Sequence, residues 1–286
     1  MPGKKWSLKE SAQIHTSGTR SGTPTDRRSV FGANAGIDPR RSIPAFAPRT
    51  MRKVAPTGGS PDVWIWADSF TDHFFPGNGH AALRYLESVG VRAQVVPDDA
   101  CCGLTWVTTG QLDKARAMME RTVATLAPYL ASGVPVIGLE PSCLATLRSD
   151  AAELTGADLD VLTLAELVER LDLPLPDLTG VHVVAQPHCH HHAVLGWDTD
   201  QRLLERAGAT VMKVSGCCGL AGNFGMEKGH YEVSVAIAET HLLPAVRAHD
   251  GAVVLADGMS CRVQLDDLAD VPAIHLAELL ARRLDA

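Results

Sequence analysis

The stretch "ATVMKVSGCCGLAGNFGM" (residues 209–226) places two adjacent cysteines, Cys217 and Cys218, between glycines and directly after an apolar, β-branched run. Such a run predicts a β-strand, and glycine allows the sharp turn that follows it. Adjacent cysteines rarely form a disulfide with each other because the resulting ring is strained. The stretch therefore predicts a strand that ends in a turn carrying two free thiols.

An internal repeat extends this pattern to the whole chain. "ACCGLTWVTTG" (100–110) matches "GCCGLAGNFGM" (216–226), and "EPSC" (140–143) matches "GMSC" (258–261). Upstream, "VWIWADSF" (63–70) takes the place of "VHVVAQPHC" (181–189). The repeat predicts a first cysteine-rich domain over residues 61–176 and a second over residues 177–286, joined at the proline-rich "LDLPLPDLTG".

Each predicted half has the same order of elements: strand, helix, strand, Cys-Cys-Gly turn, long amphipathic helix, strand. The long helices are predicted over residues 111–130 and 230–246. Alternation of strands and helices predicts an α/β fold, with two pseudo-symmetric Rossmann-like halves and mostly parallel sheets. In such sheets ligands bind beyond the carboxyl ends of the strands.

All seven cysteines follow predicted strands, which places them at those carboxyl ends. The candidate metal- and cofactor-binding residues are Cys189, Cys217, Cys218 and Cys261 in the second half, and Cys101, Cys102 and Cys143 in the first. Sets of thiolates suit a tetrahedral zinc ion or an iron–sulfur cluster. The paired C-x-x-C motifs of compact zinc ribbons are absent, and adjacent cysteines can bind two irons of one cluster. An iron–sulfur cluster is therefore favoured as the bound group, and a zinc ion remains an alternative.

Polar residues near the cysteines are candidates for supporting roles. His188, His190, His191 and His192 surround Cys189, and His230 follows the second Cys-Cys turn. We expect at least one member of the first group, with His188 and His190 foremost, to bind the metal or to support its ligands. Asp68 and Glu140 occupy the first-half positions that correspond to Cys189 and Gly258. Each is either an oxygen ligand or an ordinary turn carboxylate.

Composition narrows the class of protein. The 286 residues are 45% hydrophobic and 21% charged, as is usual for a globular protein, and an odd number of cysteines without a secretory signal favours metal or redox chemistry over disulfides. Residues 1–60 carry eleven Lys/Arg against three Asp/Glu and are predicted to form a basic, flexible arm. The remaining body is acidic, so no nucleic-acid partner is expected. We expect a cytoplasmic protein, with a peripheral position at the inner face of the membrane as an alternative.

The cysteine pattern resembles the tandem CCG (cysteine-rich) domain family. Its members include the iron–sulfur subunits of glycolate and lactate oxidation, together with subunits of heterodisulfide reductase and of anaerobic glycerol-3-phosphate dehydrogenase. Strings such as "GLEPSCLATLRSD", "HCHHHAVLG" and "GCCGLAGNFGMEKGHYEVS" look closer still to the C-terminal region of large FAD-linked oxidases. The family pattern has five cysteines per half, whereas this chain has four in the second half and three in the first.

The resemblance implies an iron–sulfur electron-transfer component of an FAD-linked 2-hydroxyacid dehydrogenase, acting on an acid such as D-lactate or glycolate. It implies one [4Fe–4S] cluster in the second half and leaves open a degenerate first half or one whose cluster has an oxygen ligand. FAD and a ferredoxin-type module would belong to a partner chain or to a region outside this one, with a quinone or another carrier as acceptor. Whether the chain is an enzyme by itself is left open; catalytic residues are not assigned. The alternatives are a zinc-binding docking module and a heterodisulfide-type thiol–disulfide reductase.

Overall fold

The computed structural model describes residues 36–55 and 58–282, and two parallel sheets form its framework. In the first half the strands follow the order β2-β1-β3-β4 and pair only in parallel. Their bounds are β1 (Val63–Trp66), β2 (Ala93–Val95), β3 (Val136–Gly138) and β4 (Val161–Leu162). Apolar runs without alternation are typical of parallel strands that are covered on both faces.

The second sheet repeats the topology of the first. Its parallel strands follow the order β6-β5-β7 and have the bounds β5 (His182–Ala185), β6 (Thr210–Lys213) and β7 (Val253–Leu255). A single parallel bridge between Leu255 and Ile274 takes the place of a fourth strand. The matching strand orders confirm the predicted α/β fold with two Rossmann-like halves.

Helices cover both sheets and connect their strands. They are α1 (Met51–Val54), α2 (Ser69–His73), α3 (Pro76–Ser88), α4 (Leu104–Thr108), α5 (Leu112–Leu130), α6 (Pro141–Arg148), α7 (Asp150–Thr155), α8 (Leu164–Arg170), α9 (Asp198–Arg206), α10 (Tyr231–Ala238), α11 (Leu242–Ala248), α12 (Met259–Ala269) and α13 (Leu276–Arg282), with a π-helix (His191–Leu195) and a 3₁₀-helix (Phe224–Met226). No helix in these described ranges combines the length and apolar character needed to cross a membrane.

Helices of each half pack against helices of the other half. Helix α8 of the first half packs against α9 of the second, and α13 of the second half packs against α3 of the first. One hydrophobic core therefore contains residues of both halves, including Leu86 and Leu167 of the first and Leu203 and Leu280 of the second. The assignment of 61–176 and 177–286 as separate domains stays a prediction.

The structure differs from the sequence prediction in the helix over residues 230–246. Two helices, α10 and α11, replace it, with a turn over residues 239–241 between them. Pro244 explains the break because its ring conflicts with the carbonyl group four residues earlier, that of Thr240. The corresponding first-half helix, α5, is continuous over Leu112–Leu130 although it contains Pro128 near its C-terminal end.

Part of the basic segment is packed against both halves. The backbone N–H groups of Asp38 and Lys228 pair residues 36–38 with residues 226–228 in the second half. Farther along, the backbone and guanidinium of Arg52 bind the buried carboxylate of Asp72 in the first half. The flexible arm is predicted over residues 1–60, of which residues 1–35 lie outside the described residues.

Candidate metal centre

The four second-half cysteines converge at the carboxyl ends of three neighbouring strands. Cys189 follows β5 and is the first residue of a helical segment, Cys217 and Cys218 lie in the turn after β6, and Cys261 lies in the first turn of α12 after β7. Their thiols form a chain of side-chain contacts from Cys189 to Cys217, Cys218 and Cys261. All are free thiols, of which Cys218 and Cys261 are buried and Cys189 is exposed.

Backbone amides and glycines shape the turn that carries the adjacent pair. The N–H of Gly219 donates to Cys217 Sγ at 3.3 Å, and the N–H of Leu220 donates to Cys218. Gly219 has φ +91°, and a β-carbon there would lie 2.2 Å from the carbonyl oxygen of Ser234. The turn can therefore form only with glycine at this position.

Replacing Gly219 by alanine tests this turn. We expect Gly219→Ala to lower the free energy of unfolding by about 2–5 kcal/mol, the sum of a left-handed backbone cost and a backbone clash. Gly222→Ala is the matched control, since Gly222 has φ +66° but open space around it and should lose only about 1–2 kcal/mol. Urea denaturation under reducing conditions measures both, and equal losses would contradict the role of the clash.

Contacts between the thiols shift the pKa values of three of these cysteines in different directions. Hydrogen bonds from Cys189 and then Cys218 lower the pKa of Cys217, whereas the contact with Cys217 raises the pKa of Cys189 and of Cys218. Further deprotonation needs a cation, because four neighbouring thiolates repel one another in a partly buried site. The donor set therefore fits a metal centre that supplies positive charge to soft sulfur ligands.

His188 borders this cluster as a neutral ring. Burial lowers its pKa to about 3, and its Nδ1 accepts a hydrogen bond from the backbone N–H of His190 at 3.2 Å. A β-carbon at Gly258 would lie 2.3 Å from His188 Cδ2. The ring thus fills the space that a side chain at position 258 would need. The rings of His188 and His190 meet edge to face, 5.3 Å apart, and His190 Nδ1 is buried without a hydrogen-bond partner among the described residues.

The first half assembles its three cysteines in the same way. Cys102 contacts Cys101 and Cys143, and the N–H groups of Gly103 and Leu104 donate to Cys101 and Cys102. The contact with Cys102 and burial raise the pKa of Cys101, and burial also raises that of Cys143. The sulfur contacts and amide donors therefore repeat those of the second half.

A residue that the sequence analysis missed, Ser69, occupies the position equivalent to Cys189. Asp68 caps α2: its Oδ1 accepts from Phe70 N at 2.8 Å, as His188 Nδ1 accepts from His190 N. Its Oδ2 accepts a hydrogen bond from the Thr71 hydroxyl at 2.6 Å, so both carboxylate oxygens of Asp68 cap α2. Ser69 follows it as the first helical residue, and its hydroxyl hydrogen-bonds with Cys101. Counting from the predicted helix start, rather than from the strand, would have identified Ser69.

Glu140 links the two halves. Its Oε1 accepts from the Ser142 hydroxyl at 2.7 Å, and its Oε2 accepts from the backbone N–H of Met259 at 3.0 Å, at the start of the helix that carries Cys261. Burial, followed by the charge of Asp68, raises the pKa of Glu140 to about 8. Its role as an oxygen ligand stays a prediction, and its observed contacts are those of a cap for two helices.

Two residues outside the cysteine cluster support the glycine-rich turn. His230 stacks on Phe224 at a ring distance of 4.4 Å and contacts its carbonyl oxygen through Nδ1. The buried guanidinium of Arg41 donates to the Gly225 carbonyl, and its further bonds reach the side chains of Gln264 and Ser234. His230 therefore contacts the loop, and the basic segment contributes an anchor to it.

Because Arg41 anchors the loop and Arg40 does not, replacing these two neighbouring arginines should affect stability differently. Arg41→Lys should lower the free energy of unfolding by about 2–4 kcal/mol, because a compact ammonium cannot reach the diverging acceptors of the guanidinium and leaves buried groups unpaired. Arg40→Lys is the control: Arg40 is 46% exposed, so its replacement should leave the unfolding temperature close to that of the wild type. Thermal unfolding of both variants, followed by circular dichroism, measures the contrast; equal losses would argue against anchoring.

Comparison with known proteins was consistent with this arrangement. A family model described as "Cysteine-rich domain" (CCG) matches residues 69–148 and 198–266. One subunit of the anaerobic glycerol-3-phosphate dehydrogenase of Escherichia coli K12 is 27% identical over 277 residues, covering 90% of this chain and 69% of the relative. One subunit of the fumarate reductase (CoM/CoB) of Methanothermobacter marburgensis is 25% identical (84% of this chain, 50% of the relative), and the probable glycolate oxidase iron-sulfur subunit of Bacillus subtilis 168 is 23% identical (84% and 56%).

Proposed function

Because the chain belongs to the cysteine-rich (CCG) domain family, we propose that it is an iron–sulfur electron-transfer component of an FAD-linked dehydrogenase of 2-hydroxy acids. The observation that carries the proposal is the convergence of Cys189, Cys217, Cys218 and Cys261 at one sheet edge. The name of the Bacillus subtilis relative, an iron-sulfur subunit, supports the same class. The chain spans only part of each relative described above, so substrate and partners are included in the proposal.

The second-half thiols suit a [4Fe–4S] cluster. Four sulfur donors match its four iron atoms, and adjacent cysteines can serve two of them. When bound, such a cluster accepts and releases one electron at a time. The amides of Gly219 and Leu220 donate to ligand sulfur, which stabilises negative charge there, and the neutral His188 adds no charge. Cys189 is the exposed ligand, so we propose that the electron partner approaches on its side.

We propose a flavoprotein as the donor and a quinone or another carrier as the acceptor, with a ferredoxin-type module between flavin and this chain. The flavin partner would remove two electrons from D-lactate, glycolate or a related acid. A thiol–disulfide reductase is the second candidate, favoured by the lowered pKa of Cys217, which makes a nucleophilic thiolate. The five-cysteine pattern of heterodisulfide reductases is disfavoured, because His188 fills the space beside Gly258.

Metal and sulfide analysis after anaerobic purification and reconstitution tests the proposal. We expect about four iron and four sulfide per chain and, after reduction, an electron paramagnetic resonance (EPR) signal of a [4Fe–4S] cluster. One zinc per chain with no visible absorption would support the docking-module alternative instead. Disulfide turnover that is lost in Cys217→Ala while the iron content persists would support the reductase. Iron-free protein after reconstitution would refute the proposed function.

A further inference from the structure

We propose that His191, Asp200 and Asp257 form a second, sulfur-free binding site for a divalent first-row transition-metal ion. The three residues come from the π-helix, α9 and the segment after β7, and are all buried. One potential ligand atom from each lies within 4.8 Å of the other two. Ligand distances of about 2.1 Å allow one ion to reach all three after small side-chain movements.

Unpartnered polar atoms point into this site. Only 3% of the His191 side chain and 2% of the Asp200 side chain are exposed. His191 Nε2 and Asp200 Oδ2 lie 3.1 Å apart as an ion pair, neither atom has any other partner among the described residues, and His191 Nδ1 has none at all. Buried polar atoms are rarely left unpaired, and a shared metal ion would satisfy both of them.

The negative charges of the two buried carboxylates also favour a bound cation. Among the described residues, neither Asp200 nor Asp257 forms an ion pair with lysine or arginine. His275 lies nearby, but its ring nitrogens are engaged elsewhere: Nδ1 accepts from Ala277 N and Nε2 donates to the Leu139 carbonyl, each at 3.0 Å. The two buried carboxylates thus share the single imidazole of His191, and burying both of them is costly without a further positive charge.

The donor set selects the class of ion. One imidazole nitrogen and two carboxylate oxygens suit Mn²⁺, Fe²⁺ or Zn²⁺, whereas the cysteine sites offer soft sulfur. A small cavity lies against the site and is lined on its other side by first-half residues, among them Leu139, Pro141 and Thr163. A bound ion would therefore stabilise the contact between the halves. This inference does not depend on the proposed electron transfer.

Mn²⁺ is the probe of choice because it binds thiolates poorly, so cysteines do not compete. Titrating the purified full chain with Mn²⁺ should remove the room-temperature EPR signal of one free ion per chain. Pulsed EPR should show one directly bound nitrogen. Asp200→Asn and His191→Gln should weaken binding at least tenfold, and His191→Gln should abolish the nitrogen coupling. Asp198→Asn, at an exposed carboxylate of the same helix, should bind as the wild type does.

Each outcome decides for or against the site. No bound Mn²⁺ in the wild-type chain, or binding without nitrogen coupling, would overturn the inference. Equal affinity in Asp200→Asn and wild type would do the same. If Asp200→Asn does not fold, as circular dichroism would show, the nitrogen coupling of the wild type and its loss in His191→Gln decide the question. Iron and sulfide contents are measured on the same samples, so failure here is separable from failure of the proposed function.

Discussion

Cys217→Ser should reduce the iron content of the reconstituted chain from about four atoms to less than about one, with loss of the visible charge-transfer absorption. Cys217 contacts both Cys189 and Cys218, so its replacement interrupts the chain of thiols at its centre. It is also the cysteine whose pKa the neighbouring thiols lower, and a serine hydroxyl does not form the thiolate that the metal requires. Iron and sulfide analysis with absorption spectroscopy measures the effect.

Cys101→Ser is the matched control, because Cys101 holds the equivalent position in the first half. If only the second half binds a cluster, this variant should keep about four iron atoms per chain. Loss of iron in Cys101→Ser, with an unchanged content in Cys217→Ser, would contradict the assignment of the working site to the second half. Circular dichroism of both variants separates loss of ligand from loss of fold.

Ser69→Cys should have the opposite effect and raise the iron content from about four to about eight atoms per chain. The Ser69 hydroxyl already contacts Cys101, as the Cys189 thiol contacts Cys217. The amides of Gly103 and Leu104 donate to the first-half cysteines as their counterparts do in the second half. A thiol at position 69 therefore completes a four-cysteine set on an existing framework. Iron analysis and EPR of the reduced protein measure the gain.

Asp68→Cys is the control for Ser69→Cys. It adds a cysteine one residue earlier, but it removes three hydrogen bonds that cap α2. We expect no gain of iron and a loss of about 1–2 kcal/mol in the free energy of unfolding. A gain of iron in Asp68→Cys but not in Ser69→Cys would show that Asp68 is the counterpart of Cys189. Eight iron atoms in the wild type would mean that an oxygen ligand already completes the first site.

Much of the fold follows from local pattern. Apolar runs predicted the three strands of the second sheet and the first three of the first sheet, and the repeat predicted that both sheets share one topology. Local pattern failed where distant contacts or a single proline decide the outcome. Pro244 divides the predicted helix over 230–246, and β4 is only two residues long, too short for a periodic signal. The sequences of α8 and α13 do not predict that these helices pack against the other half, because this packing depends on which apolar face the other half exposes.

The sequence by itself determined the fold class and the grouping of the cysteines, because strand–helix alternation and the carboxyl ends of parallel strands follow from hydrophobic periodicity and chain order. Only the tertiary structure decided which neighbours each group has. Asp68 caps a helix, and Ser69 takes the position of the second-half thiol. His188 packs against Gly258, and Glu140 accepts a hydrogen bond from the backbone of Met259 in the other half. These pairings depend on distances between elements, which residue spacing along the chain does not encode.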